Sequence, residues 1–197
     1  MKNFKKLLVA AGLMLSISSF TLTNQADAAT SRTIQYGETY WNIAKGFGVP
    51  INSLMSINNS KPLIAGQSMT LPNSPMSVAD KDLLARLVRA EAVGEPYAGK
   101  VAVAVVVLNR VKSDQFPNSV RAVINQISNG HYAFTPVANG QIKLPADAES
   151  KRAVNEAIAL MGKGNGSLFF YNPKTATSSW VASREVTVKI GNHVFAK

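Results

Sequence analysis

The sequence predicts an α+β chain in two units, a small βααβ unit followed by a mostly helical domain that carries a small antiparallel sheet. Two short helical stretches lie between β-like runs within residues 32–73, and longer apolar stretches at helical spacing follow between residues 79 and 161. Beyond residue 168 the period becomes strand-like.

In the first unit, Thr33-Ile34-Gln35-Tyr36 reads as a strand and Gly37-Glu38 as a turn. Thr39 then caps a helix in which Tyr40, Ile43, Ala44 and Phe47 share a face, and Gly48 stops it. Trp41 and Tyr40 read as core packing, being spaced with the other apolar positions. Pro50, tolerated in a first turn, opens a second helix through Leu54 and Ile57, and residues 68–71 return as a strand before Pro72. So small a unit has a thin core. Residues 74–78, rich in Pro and Ser, read as a linker to a second domain over 79–197.

There Ser77 or Asp80 caps a helix with Leu83, Leu84, Leu87 and Val88 in a stripe, ended by Gly94 and Pro96. Residues 101–108 are apolar throughout and fit a buried strand or a buried helix; the flanks favour helix. Residues 119–127 suggest a third helix, and Val154, Ala157, Ile158 and Met161, opened by Asp147 and closed by Gly162, a fourth. Residues 168–171 and 186–190 are strand-like, with Gly191-Asn192 a two-residue turn before His193-Val194-Phe195.

Residues 1–28 have the form of an export signal: Lys2, Lys5 and Lys6, an apolar run over 7–15, and Ala26-Asp27-Ala28 as a cleavage site. The run is short for a stable membrane span. Cleavage removes three lysines and one aspartate, taking the formal charge from +10 to +8. Such a balance after export suits an anionic extracellular polymer; with no Lys/Arg block, nucleic acid is not an expected partner.

The absence of cysteine excludes disulfides, thiolate zinc sites and a cysteine nucleophile. His131 and His193 lack zinc-ligand spacing, so neither a metal nor another cofactor is expected. General acid–base chemistry that needs only carboxylic acids remains open, and two of the ten carboxylates in the mature chain stand out. Glu91 sits at the C-terminal end of the first long helix, where the dipole raises its pKa toward that of a general acid. Glu95 is an exposed turn residue or a second carboxylate. Phe134, Tyr171 and Trp180 fit either sugar-stacking walls or core; Asn172, Asn192 and His193 fit substrate hydrogen bonding or turn chemistry.

Two resemblances sharpen this reading. Tyr36-Gly37-Glu38-Thr39-Tyr40-Trp41-Asn42-Ile43-Ala44, Phe47-Gly48-Val49, Ile57-Asn58-Asn59, Ile64-Ala65-Gly66-Gln67 and Leu71-Pro72 together resemble a LysM module. The resemblance implies binding of the N-acetylglucosamine part of peptidoglycan between residues 37–39 (Gly37, Glu38, Thr39) and residues 61–64, which include Leu63 and Ile64. Ala90-Glu91-Ala92-Val93-Gly94-Glu95-Pro96-Tyr97, the run through Asn109-Arg110-Val111, Phe134-Thr135-Pro136-Val137, Tyr171-Asn172-Pro173, Ala176-Thr177-Ser178-Ser179-Trp180 and Ile190-Gly191-Asn192-His193-Val194-Phe195 look like the spore-cortex-lytic and cell-wall hydrolase (SleB-like) family.

That family implies a fold similar to lysozyme-like transglycosylases and a single essential glutamate, carried onto Glu91. It implies cleavage of the N-acetylmuramic acid to N-acetylglucosamine β-1,4 bond, in many members with formation of 1,6-anhydromuramic acid. Residues 130–134, Gly-His-Tyr-Ala-Phe, depart from the family's usual Gly-Gln-Phe-Ser type run. Hydrolysis by water, a non-catalytic wall-binding protein, cortex or vegetative wall as substrate, and control by a regulatory protein all stay open on the sequence.

Overall fold

A computed structural model describes residues 30–197; the expected export signal lies outside the described residues. The small unit has the anticipated βααβ order: β1 (Thr30–Thr33), α1 (Tyr40–Phe47), α2 (Ile51–Ile57) and β2 (Ser68–Leu71), with β1 and β2 antiparallel and Thr30 opposite Leu71. The first strand begins earlier than the sequence suggested. Pairing ends at Thr33, and the chain then turns so that Ile34 is buried while Tyr36 is 96% exposed.

Thr39 caps α1 by accepting the Asn42 amide on its hydroxyl, and Gly48 ends the helix in the left-handed region at φ 60°. Pro50 is the residue before α2 rather than its first turn. Ile34, Ile43, Ala44, Val49, Leu54, Met69 and Leu71 form the core, with Tyr40, Trp41 and Leu63 packed against it. Asn58 clamps the second loop: its amide donates to the carbonyls of Leu54 and Thr70 at 2.8 Å, and its oxygen accepts the Thr70 amide.

The larger unit opens with α3 (Val78–Glu91), capped by Ser77, and α4 (Tyr97–Lys112), which settles residues 101–108 as helix. Next come α5 (Val120–Ile124), β3 (Ile127–Ser128), β4 (His131–Tyr132), α6 (Thr135–Ala138) and α7 (Ala148–Ala159). The third helix is shorter than expected. It ends at Ile124 because Ile127 pairs with Tyr132 across an Asn129-Gly130 turn whose two residues both have positive φ.

β5 (Phe169–Tyr171), α8 (Ser179–Ala182), β6 (Val186–Ile190) and β7 (His193–Ala196) complete the chain, with β7 central in an antiparallel sheet of order β5-β7-β6. Tyr171 faces Val194 in that register and Phe170 faces Phe195. Leu84, Leu87, Val88, Val103, Val106, Val107, Ala157, Ile158 and Phe195 are buried where α3, α4, α7 and the sheet meet. Among the described residues no helix is long and apolar enough to cross a membrane.

The segment between the units is ordered by contacts on both sides. Ser74 donates its hydroxyl to the Gly48 carbonyl at 2.9 Å, and Met76 packs on the core of the larger unit. Helix α1 lies against α7, and Ala159 of α7, fully buried, belongs to the core of the small unit.

Candidate active site

Glu91 is the last residue of α3. Its pKa is pushed up to about 7, first because burial penalises the carboxylate, while the Arg110 guanidinium pulls it part of the way back. The sequence assigned the rise to the helix end; the dominant cause is loss of solvent. Glu91 Oε1 is buried and has no hydrogen-bond partner among the described residues, leaving an oxygen free to present a proton to a substrate atom.

Arg110 reaches the site from the last turn of α4. Its Nε donates to the Leu168 carbonyl at 2.7 Å, and its guanidinium lies over the rings of Phe116, Phe134 and Phe169 at 4.9, 5.2 and 5.7 Å. Desolvation lowers its pKa to about 10, with Glu91 opposing the fall, so it stays charged at neutral pH. The sequence alone assigned Arg110 no role. A guanidinium three residues beyond the buried Val107, on a helix apolar at every position from 101 to 108, was the available signal.

Adjacent β5 residues face opposite ways. Phe169 meets Trp180 edge-on at 5.1 Å, and Arg184 covers both rings. Phe170 packs on Phe134, on Phe195 and, at 5.3 Å, on His193. Phe134 is therefore not a sugar-facing wall: at 3% exposure it forms part of the core beneath Arg110. Trp180 is 56% exposed even so, and Tyr171 is half-buried.

Asn172 Oδ1 accepts the Lys174 amide at 2.9 Å, so this side chain shapes the following turn. His193 is half-buried, its Nδ1 has no partner among the described residues, and desolvation lowers its pKa while Glu95 opposes the shift. It is thus largely neutral at neutral pH.

Glu95 is neither exposed nor available as a second carboxylate. It is 8% exposed, and its two oxygens accept the Asn192 amide at 3.0 Å and the Asn192 side-chain amide at 3.1 Å. It fastens the β6–β7 turn to the start of α4, and most of the Asn192 donor capacity is spent there. Gly191 has to be glycine, because its φ is +58° and a Cβ would fall 2.0 Å from Glu95 Oε2 and 2.7 Å from Pro96 Cδ. Gly191→Ala is expected to cost roughly 1–3 kcal/mol from the backbone alone, with displacement of Glu95 added, as measured by denaturant unfolding.

In the small unit, Gly37 makes its turn at φ 78°, and Glu38 accepts the Gln35 amide and the Arg32 guanidinium at 2.7–2.8 Å. These bonds hold the Glu38 carboxyl below its ordinary pKa. Tyr40 donates its hydroxyl to the Lys61 carbonyl at 2.8 Å, joining the loops that hold residues 37–39 and 61–64. Ile64 is 53% exposed between them, whereas Leu63 packs inward.

A βααβ unit of this form joined to a helical domain with a buried acid, Glu91, whose Oε1 has no partner among the described residues, defines a LysM domain linked to a cell wall hydrolase domain. Residues 33–72 match the LysM domain and residues 94–196 match the cell wall hydrolase family, to which this chain belongs. Glu91 lies three residues ahead of the latter match.

The spore cortex-lytic enzyme of Bacillus cereus is 35% identical over 193 residues, covering 81% of this chain and 73% of that protein. The spore cortex-lytic enzymes of Halalkalibacterium halodurans and Bacillus subtilis are 44% and 40% identical, but the chain spans only 37% and 45% of their lengths. The catalytic domain of the germination-specific lytic transglycosylase SleB from Bacillus anthracis is similar in structure, with a TM-score of 0.58 and 45% identity, covering 64% of this chain and all of that one.

Proposed function

We propose that the chain is an exported, wall- or spore-associated lytic transglycosylase that cuts the β-1,4 bond between N-acetylmuramic acid and N-acetylglucosamine in peptidoglycan. The observation that carries this reading is Glu91, a buried acid whose Oε1 has no hydrogen-bond partner among the described residues and whose pKa is pushed up to about 7.

Protonated Glu91 gives its proton to the departing O4 of N-acetylglucosamine as the bond from the muramoyl C1 to that oxygen breaks. The resulting carboxylate takes the proton of the muramoyl 6-hydroxyl, whose oxygen bonds to C1 and closes the 1,6-anhydro ring. The acid ends as it began, and no water is consumed. Engagement of both Glu95 oxygens by the hairpin amides fits a mechanism without a nucleophilic carboxylate.

Gly37, Glu38, Thr39 and Ile64 of the LysM domain hold the glycan; in the catalytic domain Tyr171, Trp180 and His193 face it. Basic charge adds attraction to an anionic wall, weakened by salt.

Digestion of purified peptidoglycan and spore cortex by residues 29–197, with products read by mass spectrometry before and after borohydride reduction, tests the proposal. Anhydro ends that resist reduction are expected. Reducible ends would replace transglycosylation by hydrolysis, and binding without cleavage of either substrate would make the chain a wall-binding protein.

A further inference from the structure

The sequence suggested a LysM domain carried on a linker, yet the contacts between α1 and α7 are those of a fixed joint. Ala159 of the catalytic α7 is fully buried within the LysM core. The C-terminal end of α1 is seated on the same helix: a Cβ at Gly48 would fall 2.4 Å from Asn155 Oδ1. The Gly48 carbonyl accepts from Ser74 at 2.9 Å and from Lys81 of α3 at 3.3 Å. Next to Asn155 on α7, the Glu156 carboxylate takes the Tyr97 hydroxyl at 2.9 Å from α4 and lies 3.8 Å from Lys45 of α1. Two helices of the catalytic domain, α7 and α3, therefore hold one end of α1, and α4 braces the Glu156 carboxylate that faces it.

Linked domains ordinarily move relative to one another unless a packed interface prevents it. With a flexible linker the second binding event has an effective concentration spread over all distances the linker can span; with a rigid joint it is confined to one. We propose that the α1–α7 joint makes the enzyme a molecular ruler, in which a glycan strand gripped by the LysM loops reaches Glu91 at a set number of sugars. The joint thus determines the length of the strands released. The inference rests on the glycan-cleaving function proposed above, and it assigns to Ala159, Asn155 and Gly48 a specificity role away from the chemistry.

Long peptide-free glycan strands and a two-disaccharide glycan too short to reach both sites separate the possibilities. Three variants are compared with the native chain: Asn155→Trp, a wedge under Gly48; Ala159→Arg, which cannot be housed in the LysM core; and Ile64→Asp, which weakens the grip of the loops. Native enzyme is expected to give a narrow peak of anhydro-ended strand lengths and to resist proteolysis at residues 73–77.

The two joint variants should broaden that peak and expose the segment to protease while cutting the short glycan within about twofold of the native rate, since only the tethered arrangement has changed. Ile64→Asp should broaden the peak with the joint intact. Should Ala159→Arg lose short-glycan cutting, it has unfolded, and the strand lengths released by Asn155→Trp decide the matter. A broad native distribution, or a peak that survives in the wedge variant, overturns the ruler. Absence of anhydro ends, or cutting retained by Glu91→Gln, instead overturns the function on which it rests.

Discussion

Glu91→Gln is expected to lower the rate of anhydro-end formation by at least about 10³-fold, because one group carries the proton in both halves of the reaction and the amide can carry it in neither. The native rate should itself fall as pH rises past about 7, where the acid loses its proton. The same shift has a sign in stability. Below the ordinary carboxyl pKa of 4.5 the native and unfolded chains are both protonated at this position, and burial costs nothing. Between 4.5 and about 7 the unfolded chain releases the proton first, so native stability falls with pH, and above about 7 the penalty is complete. It amounts to roughly 3 kcal/mol. Glu91→Gln should therefore be more stable than the native chain at pH 8 and lose that advantage towards pH 5, as read by thermal unfolding across the range. A rate that survives the substitution, or a variant less stable at pH 8, would remove Glu91 from the role of buried acid.

Arg110→Met is expected to have the second largest effect, on stability and on the pH profile together. The substitution keeps most of the apolar stem but leaves the Leu168 carbonyl without its charged donor, at a cost of about 2–3 kcal/mol, and empties the place above three rings. Since Arg110 pulls the Glu91 pKa down, its removal should move the alkaline limb of the rate profile to higher pH. Arg110→Lys should restore only part of the stability, because an ammonium cannot cover a set of rings as a planar guanidinium does. A purely structural arginine would cost stability and leave the limb in place, so the profile separates the two roles.

Local signals in the chain reported much of this. Thr39, Ser77 and Asp147 could be read as caps because capping is settled by one side chain and an amide three residues on. The Gly191-Asn192 turn was readable for the same reason. The place of Glu91 at the end of its helix gave the direction of its pKa shift, but the main cause was not legible, since burial is made by residues far along the chain.

Glu95 shows the same limit more sharply. The groups that occupy its oxygens lie 97 positions away, and nothing near it in sequence announces them. Phe134 fitted either a wall or the core until Phe170 and Arg110 were placed around it. The fixed joint was hidden too, because a Pro/Ser segment reads as a linker whether or not its flanks are docked.

Ala159 also bears on how the protein melts. A core completed by a side chain from another domain cannot come apart without leaving a hole on one side and a bare methyl on the other, so the two domains share part of their unfolding free energy. Trp41 sits in one domain and Trp180 in the other, and heating followed by tryptophan fluorescence should show both reporting a single cooperative transition.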